Sequence, residues 1–338
     1  NNNSKIVLRI ISRNANDTFD YDFFKRRIEY ALSYRMKVMP NDLNAFRLIY
    51  GEADFLSGLT VDKFNDVLVC QILSLGIDIR KDIILKALYD VVSKYFKIRG
   101  IYLRCDVALR EKEGLEEYVG WYDKIPVTSQ ETTTEIVENG LKYLVDFKEG
   151  QKTGFFLDQK YNRLTIRNLA KDMTVLDCCT HTGSFAMNAA LGGAKKVMAL
   201  DISQKALLDA KKNFWLNNLN IDTYCADLFD YLRKLVDSKN KEYNLIILDP
   251  PAFTKSKDTI KSALKGYQEI NYLAMKALPR GGYLATASCS HYASEEDFIR
   301  AIFNASIMAG VSLRVVKKSY AAPDHPEVIG IPETKYLK

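Results

Sequence analysis

Cys289 stands between two serines in the stretch "ATASCSHYASEED", after a run that predicts a strand and before one that predicts a helix start. A thiol placed at the end of a buried strand has the setting of a nucleophile, because the thiolate is the reactive form of cysteine. The alternative is a structural cysteine, since free cysteine is among the most buried residue types. The position beyond a strand favours the nucleophile.

The stretch "NLIILDPPAF" predicts a buried strand that ends at Asp249, Pro250 and Pro251. Two prolines stiffen the exit loop and hold its carbonyls out of the sheet, where they can accept hydrogen bonds from a planar base. Phe253 can then stack on a base drawn out of its helix. A rigid turn with no ligand is the alternative.

Three acids follow three successive predicted strands: Asp177 in "TVLDCCTHTG", Asp201 in "KKVMALD", and Asp227. An acid about 20 residues after the first loop can accept hydrogen bonds from ribose hydroxyls, which suits an adenosine ligand. Each acid taken singly could instead cap the next helix. Gly183 is the one glycine of the first loop, so the dinucleotide fingerprint G-x-G-x-x-G is poorly matched.

The elements that must position these residues fall into two kinds. After "KEGQKTGFFLDQ" the chain alternates between short buried strands and helix-length segments, which predicts an α/β, doubly wound parallel sheet. Before it, short β-rich pieces, a helix near residues 78–96 and a hairpin turning at Asn139-Gly140 predict a smaller α+β unit. We therefore expect three regions: 1–42, with a strand at "KIVLRI" and a linker helix; 43–145, an α+β middle domain; and 146–338, the α/β domain.

Composition narrows the class of protein. The 338 residues are 47% hydrophobic and 27% charged, without an 18-residue apolar run or an apolar leader, so we expect a cytoplasmic protein without a membrane partner. Six cysteines and three histidines have no spacing that fits a zinc ribbon or a disulfide framework, and we expect no metal. The net charge of +6 permits an anionic partner without requiring one.

The segments "VLDCCTHTGSFA", "VMALDIS", "ILDPPAF" and "GGYLATASCS" together resemble the class I S-adenosylmethionine-dependent methyltransferases. With "GEADFLSGLTVDKFNDVLVCQ", "QKTGFFLDQKYNR" and "DHPEVIGIPETKYLK", the chain is similar to the bacterial large-subunit ribosomal RNA cytosine-C5 methyltransferases that carry a PUA domain. The resemblance implies a Rossmann-like, seven-stranded sheet of order 3-2-1-4-5-7-6, with the last strand near "KYLK". It also implies that a complete PUA domain is missing, with "KIVLRI" matching only its last strand.

The resemblance implies S-adenosylmethionine as cofactor, large-subunit ribosomal RNA as partner and carbon 5 of a cytidine as the methylated atom, and it leaves a homodimer open. In such a reaction the Cys289 thiolate adds to carbon 6 of the ring, and Asp249 stabilises the adduct at ring nitrogen 3. A related branch carries a second cysteine after the proline of the fourth-strand motif. Here that place reads Ala252-Phe253, so the group that assists product release is unassigned.

The same resemblance implies the site residues. The expected cofactor-binding residues are Asp177, Cys179, His181, Thr182, Gly183, Phe185, Asp201, Ile202, Ser203, Asp227, Leu228, Asp249 and Pro250. The expected substrate-binding residues are Lys152, Phe156, Pro251, Phe253, Lys255 and Lys257. Lys255 and Lys257 could equally lie on a solvated helix face, and the segment that holds Lys152 and Phe156 could be a linker with a helix cap at Asp158.

Three rival functions stay open at this point. A methyltransferase for a guanine nitrogen would share the Asp-Pro-Pro loop and have no use for Cys289. A nicotinamide oxidoreductase would share the acid after the second strand, but it should show the glycine fingerprint. A non-catalytic RNA-binding assembly factor would bind RNA normally with Cys289 replaced.

Overall fold

The chain divides into two compact units, which we describe from a computed structural model covering residues 8–254 and 256–338. The first unit comprises Asn1–Asp158 and Ala322–Thr334, and the second comprises Gln159–Ala321 and Lys335–Lys338. In the described part of the chain, no helix is long and apolar enough to cross a membrane.

The first unit opens with the helix α1 (Tyr21–Val38), as the sequence predicts. Asp20 caps it by accepting a hydrogen bond from the Phe23 backbone N–H over 3.0 Å, and Phe24, Ile28 and Leu32 are buried on one face. The other helices of this unit are α2 (Leu75–Asp78), α3 (Lys81–Val92) and α4 (Leu109–Lys112), with 3-10 turns at Gly51–Asp54 and Pro332–Thr334. The predicted helix near 78–96 is therefore shorter at both ends.

Five strands form the sheet of the first unit in the order β1-β2-β3-β4-β5, counted over the described residues. Their bounds are β1 (Ala45–Tyr50), β2 (Leu59–Phe64), β3 (Val67–Ile72), β4 (Gly100–Cys105) and β5 (Tyr118–Trp121). The β3–β4 pair is parallel, while the other neighbours are antiparallel. The sequence pattern missed β5, a four-residue edge strand whose first two residues are exposed and which lacks hydrophobic alternation.

The hairpin of β6 (Thr133–Glu138) and β7 (Leu141–Asp146) is confirmed. Asn139 and Gly140 join the two strands with φ angles of 53° and 74°, the left-handed pair that a two-residue hairpin turn requires. Ile136, Tyr143 and Val145 are buried, so the alternating pattern places one face of the hairpin in the core.

The strand expected at "KIVLRI" is not found where it can be assessed. Leu8 and Ile10 are highly exposed and belong to no strand, and residues 5–7 lie outside the described residues. Apolar character alone predicts a strand poorly when no partner strand supplies hydrogen bonds.

The second unit alternates strands and helices as predicted. After the 3-10 turn Leu157–Gln159 that precedes it come α5 (Lys160–Leu169), β8 (Thr174–Cys178), α6 (Ser184–Leu191), β9 (Lys196–Asp201), α7 (Gln204–Leu216), β10 (Asp222–Cys225) and α8 (Leu228–Asp237). The chain continues through β11 (Leu245–Leu248), a 3-10 turn at Lys257–Thr259, α9 (Ile260–Ala277), β12 (Tyr283–Thr286) and α10 (Glu295–Ala309).

The strands of the second unit form a fully parallel sheet in the order β10-β9-β8-β11-β12. The inner strand β11, between β8 and β12, is buried along its whole length, as its run "LIIL" predicts for a strand covered on both faces. A core of residues such as Leu176, Ile246, Tyr267, Ile270 and Phe298 packs the sheet against α8, α9 and α10.

The observed order matches the 3-2-1-4-5 part of the expected sheet, but the seven-stranded sheet is not found. Over the described residues the sheet has five strands, and neither residues 311–320 nor 335–338 form one. Val315 and Val316 are each 73% exposed, so this apolar stretch is not packed as an inner strand. Near "KYLK", Lys338 exchanges a pair of backbone hydrogen bonds with Ser288, which falls short of a strand.

Candidate functional site

The carboxyl ends of the five parallel strands of the second unit meet at one edge of the sheet. Leu248 of β11 lies opposite Cys178 of β8 and opposite Thr286 of β12, so the loops that follow these three strands start at the same level. Beyond β12, the Ala287 N–H donates to the Leu248 carbonyl over 2.9 Å and extends this pairing by one residue. Ligands of such sheets bind at this edge.

Cys289 lies against the Asp-Pro-Pro loop. Its Sγ is 3.9 Å from the Pro250 carbonyl oxygen, a distance at which the thiol donates a weak hydrogen bond. Cys289 is partly buried, as is Asp249, the residue before Pro250. The structure thus places Cys289, the proposed nucleophile, against the residue that directly follows Asp249, the proposed ring stabiliser.

Asp249 is held by a residue that the sequence analysis did not select. Gln159 Nε2 donates to Asp249 Oδ1 over 3.0 Å, and Asn162 Nδ2 in turn donates to Gln159 Oε1 over 2.6 Å. Gln159 is buried at 4% exposure, so this amide has little freedom to turn away. The signal was present, because Gln159 ends the quoted segment "QKTGFFLDQ".

The two serines that flank Cys289 build its loop. The buried Ser288 hydroxyl donates to Tyr267 Oη over 3.0 Å, and burial raises the pKa of Tyr267. Ser290 Oγ accepts hydrogen bonds from the backbone N–H groups of Tyr292 and Ala293 at 3.3 and 3.4 Å. These contacts fix the backbone on both sides of Cys289.

Asp177 is completely buried at the end of β8. Its Oδ2 accepts hydrogen bonds from Thr180 Oγ1 at 2.6 Å and from the Ala186 N–H at 2.9 Å. Its Oδ1 is buried too and has no hydrogen-bond partner among the described residues. Burial raises the pKa of Asp177 to about 7, and the nearby charges of Asp249 and Asp201 add to the rise.

Asp201 organises the loops on either side of it. Its Oδ2 accepts from the His181 N–H and its Oδ1 from the Ser203 N–H, both at 2.9 Å. The helix cap of α7 is Ser203, whose hydroxyl accepts from the Ala206 N–H. Asp201 is therefore not the residue that caps α7. Each of its carboxylate oxygens has a second lone pair that can accept a hydrogen bond from a ligand.

Asp227 caps α8. Its Oδ1 accepts hydrogen bonds from the Phe229 and Asp230 N–H groups at 2.8 and 3.2 Å. This is the helix-capping use that the sequence analysis weighed as the alternative, and it leaves ligand binding untested. Leu228, the first residue of α8, is buried in the core.

The loop after β8 has a strained backbone. Cys179 and His181 have φ angles of 60° and 50°, in the left-handed region. Burial raises the pKa of the Cys179 thiol, with Asp201 and Asp249 adding to it, and burial lowers the pKa of His181. Both side chains are therefore held in their neutral forms beside a cluster of acids.

Gly183 packs against α7. A Cβ at this position would lie 2.3 Å from Phe214 Cε1, and φ is 80°. The packing interpretation of this glycine is thus supported. The Thr182 carbonyl accepts from Asn213 Nδ2 over 3.0 Å, and Phe185 is buried.

Ile202 differs from the other expected cofactor residues. It directly follows Asp201 at the end of β9, and it is 70% exposed. An exposed apolar side chain at the ligand-binding edge of the sheet suits contact with a planar ring.

Comparison with known proteins gives the family. The model of the S-adenosylmethionine-dependent methyltransferases matches residues 114–337. The chain belongs to the S-adenosylmethionine-dependent methyltransferase family. Its cofactor is therefore S-adenosylmethionine.

Curated relatives of this methyltransferase are similar over nearly the whole chain. The ribosomal RNA large subunit methyltransferase I of Aeromonas salmonicida is 40% identical, over 99% of this chain and 84% of the relative. The protein of the same name from Klebsiella pneumoniae is 38% identical, over 99% of this chain and 83% of the relative.

Among solved structures, an S-adenosylmethionine-dependent methyltransferase from Streptococcus mutans has a TM-score of 0.82 at 21% identity. The match covers 97% of this chain and 82% of that one. At this identity the likeness shows the fold alone.

The acids of the methyltransferase unit fit a cationic cofactor. Among the described residues nothing donates to Asp177 Oδ1, and burial raises the pKa of this carboxyl because its negative charge is removed from water. S-adenosylmethionine carries a sulfonium and an ammonium group, so its positive charges complement this edge of the sheet.

The expected substrate-binding residues are distributed over both units. The Phe253 ring packs on Tyr267 with centroids 4.6 Å apart, and Pro251 is exposed. Lys152 and Phe156 belong to the first unit, where the Lys152 ammonium lies 4.9 Å from the centre of the Phe156 ring. Lys255 lies outside the described residues, as does the side chain of Lys257.

Proposed function

We propose that this methyltransferase transfers a methyl group to carbon 5 of a cytidine in large-subunit ribosomal RNA, with Cys289 as a covalent nucleophile. The substrate class is supported by the curated relatives, whose shared name is ribosomal RNA large subunit methyltransferase I. The choice of carbon 5 is supported by the setting of Cys289.

The observation that carries the proposal is the 3.9 Å contact between Cys289 Sγ and the Pro250 carbonyl oxygen. A nitrogen methyltransferase needs the Asp-Pro-Pro loop but has no chemical use for a thiol beside it. A thiol there, next to Asp249, supplies the two groups that carbon-5 methylation requires: a nucleophile for carbon 6 and an acid for ring nitrogen 3.

The cofactor-binding residues are proposed from the edge of the sheet. Asp177 Oδ1 would face a positive group of the cofactor, while Asp201 would accept from ribose hydroxyls and Ile202 would contact the adenine ring. Asp227 would face the adenine amino group with the oxygen that does not cap α8. Cys179, His181, Thr182 and Gly183 would shape the loop, and the remaining proposed contacts are Phe185, Ser203, Leu228, Asp249 and Pro250.

The chain's own residues activate the ring. The Cys289 thiolate forms a bond to carbon 6, and the displaced electron pair makes carbon 5 nucleophilic as Asp249 donates a proton to ring nitrogen 3. S-adenosylmethionine supplies the electrophilic methyl group when bound. The carbon-5 proton is then released to water, its electron pair restores the double bond between carbons 5 and 6, the Cys289 sulfur leaves carbon 6 as a thiolate, and nitrogen 3 returns its proton to Asp249.

The RNA contacts are proposed on chemical grounds. Pro251 would frame the base, and Phe253 would stack on it with the part of its ring that the core leaves exposed. Lys152, Phe156, Lys255 and Lys257 would contact the RNA, the lysines through phosphates that position the RNA without reading its sequence.

The experiment that tests carbon 5 as the target uses large-subunit ribosomal RNA transcribed with cytidine that carries tritium at carbon 5. Methylation of carbon 5 must expel that tritium into water, whereas methylation of a nitrogen keeps it in the RNA. We expect one tritium to be released for each methyl group transferred. Methyl transfer without tritium release would refute the proposal.

Cys225→Ala is the matched control in this assay. Cys225 is an exposed cysteine of the same unit, at the end of β10, and its Sγ contacts the Ile202 carbonyl at 3.4 Å. We expect Cys289→Ala to abolish tritium release and Cys225→Ala to retain it. Equal effects of the two substitutions would contradict a specific role for Cys289.

A further inference from the structure

The segment that ends at Lys338 is tied to the loop that carries Cys289. The Ser288 N–H donates to the Lys338 carbonyl over 2.7 Å, and the Lys338 N–H donates to the Ser288 carbonyl over 3.1 Å. This reciprocal pair places residue 338 directly opposite the residue before Cys289. The position of Lys338 is therefore set by backbone bonds rather than by its own flexible side chain.

The Lys338 side chain continues along the same loop. Its Nζ donates to the carbonyl oxygens of Ser290 and Ala293, both at 2.6 Å. Together with the backbone pair, these bonds contact the loop on both sides of Cys289. Two carbonyl acceptors at this distance favour the ammonium form of the lysine, because they replace water around a positive charge.

The charged and titratable groups around this position can be named. Burial lowers the pKa of Lys338, whereas Cys289 and Glu295 act in the opposite direction and Lys335 adds to the lowering. Tyr267 lies on the other side, hydrogen-bonded to Ser288, and Asp249 precedes the proline that Cys289 contacts. The Lys338 ammonium donates to the carbonyl of Ser290, the residue directly after Cys289, so its positive charge lies at the loop that carries the sulfur.

The hydroxyls of Ser288 and Ser290, on either side of Cys289, form hydrogen bonds within the protein. Ser288 Oγ donates to Tyr267, and Ser290 Oγ accepts from two backbone N–H groups. A positive group near Cys289 would stabilise its thiolate, because a neighbouring lysine lowers the pKa of a cysteine thiol.

We propose that Lys338 is a positioning residue that holds the Cys289 loop and stabilises the Cys289 thiolate with its positive charge. The inference rests on the proposed role of Cys289 as nucleophile. On ionisation the thiol proton leaves to water, and the negative charge on sulfur stays beside the Lys338 ammonium until the sulfur bonds to carbon 6. Lys338 itself forms no bond to the substrate.

The test measures how the rate of alkylation of Cys289 by iodoacetamide depends on pH. The whole protein is alkylated and then digested, and mass spectrometry of the peptides quantifies the alkylated fraction of each cysteine. Cys225 in the same sample serves as the exposed reference thiol. In the wild-type protein we expect the midpoint of the curve of alkylation rate against pH to lie at a lower pH for Cys289 than for Cys225. A midpoint at or above that of Cys225 would overturn the proposal without any substitution.

Lys338→Gln removes the charge and keeps a hydrogen-bond donor. We expect it to slow alkylation of Cys289 about tenfold near neutral pH, corresponding to a rise of about one pH unit in the midpoint. Lys338→Arg keeps the charge and should retain the low midpoint. An unchanged profile in a folded Lys338→Gln variant would overturn the proposal.

Lys335→Gln is the matched control. Lys335 lies three residues earlier in the same segment and pairs with Glu295 at 3.4 Å instead of holding the Cys289 loop. We expect this variant to alkylate like the wild-type protein, and a shift equal to that of Lys338→Gln would refute a specific role for Lys338.

The alkylation result and the proposed function can fail separately. A low Cys289 midpoint that depends on Lys338, without tritium release from RNA, would reject the function and keep the inference. Tritium release together with a Cys289 midpoint that is unchanged in Lys338→Gln would support the function and reject the inference.

Discussion

Gln159 Nε2 donates a hydrogen bond to Asp249 Oδ1 over 3.0 Å. A side-chain amide cannot accept a proton from the carboxyl group through its N–H, so this bond reserves Oδ1 as an acceptor. Oδ2 is then the Asp249 oxygen suited to carry the proton that ring nitrogen 3 needs. Asn162 donates to Gln159 Oε1 and thereby fixes which way the Gln159 amide points.

Gln159→Met should therefore slow methyl transfer more than it weakens binding. Loss of this donor to a partly buried carboxyl oxygen costs about 1–3 kcal/mol, so we expect turnover to fall about 5- to 100-fold. The affinity for S-adenosylmethionine, measured by calorimetry, should change much less. The matched control is Gln268→Met on α9, because Gln268 is half-buried and its amide contacts Met308 rather than Asp249. A Gln268→Met variant as slow as Gln159→Met would show that the loss is not specific to Asp249.

Asp177→Asn should change how stability depends on pH. The pKa of Asp177 is about 7 in the folded protein against an ordinary value of 3.8, so the folded protein holds this proton more tightly than the unfolded chain. Its contribution to stability is fully present below pH 3.8 and is lost as the pH rises to about 7. The free energy of unfolding of the variant should therefore rise relative to wild type as the pH increases from 3.8 to about 7. Above about pH 7 the difference should stay constant.

Urea unfolding over that pH range measures the gain. Asp222→Asn is the control, because Asp222 is exposed and lies 3.8 Å from Lys196. A pH-independent difference between Asp177→Asn and wild type would show that the pKa of Asp177 is not raised in the folded protein. We also expect Asp177→Asn to weaken S-adenosylmethionine binding, since it removes the negative charge proposed to face the cofactor.

Gly183→Ala should destabilise the second unit by more than the cost of placing an alanine at a positive φ angle. Gly183 and Gly281 have φ angles of 80° and 81°, so an alanine at either position is strained by about 1–2 kcal/mol. A Cβ at Gly183 also meets Phe214 at 2.3 Å, whereas at Gly281 nothing lies within 4 Å. We expect Gly183→Ala to cost at least about 1 kcal/mol more than Gly281→Ala in thermal unfolding. Equal costs would mean that the Phe214 contact is unimportant.

Arg35→Met should strongly destabilise the first unit. Arg35 is fully buried, and its guanidinium pairs with Asp54 and donates to the Asp324 carbonyl at 2.9 Å. Removing one partner leaves a buried charge unpaired, which costs about 3–5 kcal/mol. The control is Arg26→Met, which removes an arginine that is 44% exposed in its pair with Asp17 and should cost less than about 1 kcal/mol. Chemical unfolding of the two variants measures the difference.

Much of the site could be predicted because chemistry and strand order are both local in the sequence. Strand β11 is a continuous apolar run followed by Asp249, and strand β12 is followed by Cys289, so parallel pairing alone brings the two loops together. The hairpin turn at Asn139-Gly140 was predictable for the same reason, since two adjacent residues determine it.

The remaining features depend on long-range packing. Gln159 reaches Asp249 across 90 positions in sequence, and Lys338 reaches Ser290 across 48. No periodicity or motif spacing encodes such contacts. The last strand expected near "KYLK" failed for a related reason, because strand pairing depends on residues far away in sequence, and residues 335–338 form no strand with the described part of the sheet.

The most direct test of a covalent Cys289 mechanism uses ribosomal RNA that contains 5-fluorocytidine, incubated with the protein and S-adenosylmethionine. Fluorine at carbon 5 cannot leave as a proton does, so the reaction should stop as a protein–RNA adduct through the Cys289 sulfur. We expect a denaturation-resistant adduct with the wild-type protein and with Cys225→Ala, and none with Cys289→Ala. Active enzyme that forms no adduct would contradict the mechanism.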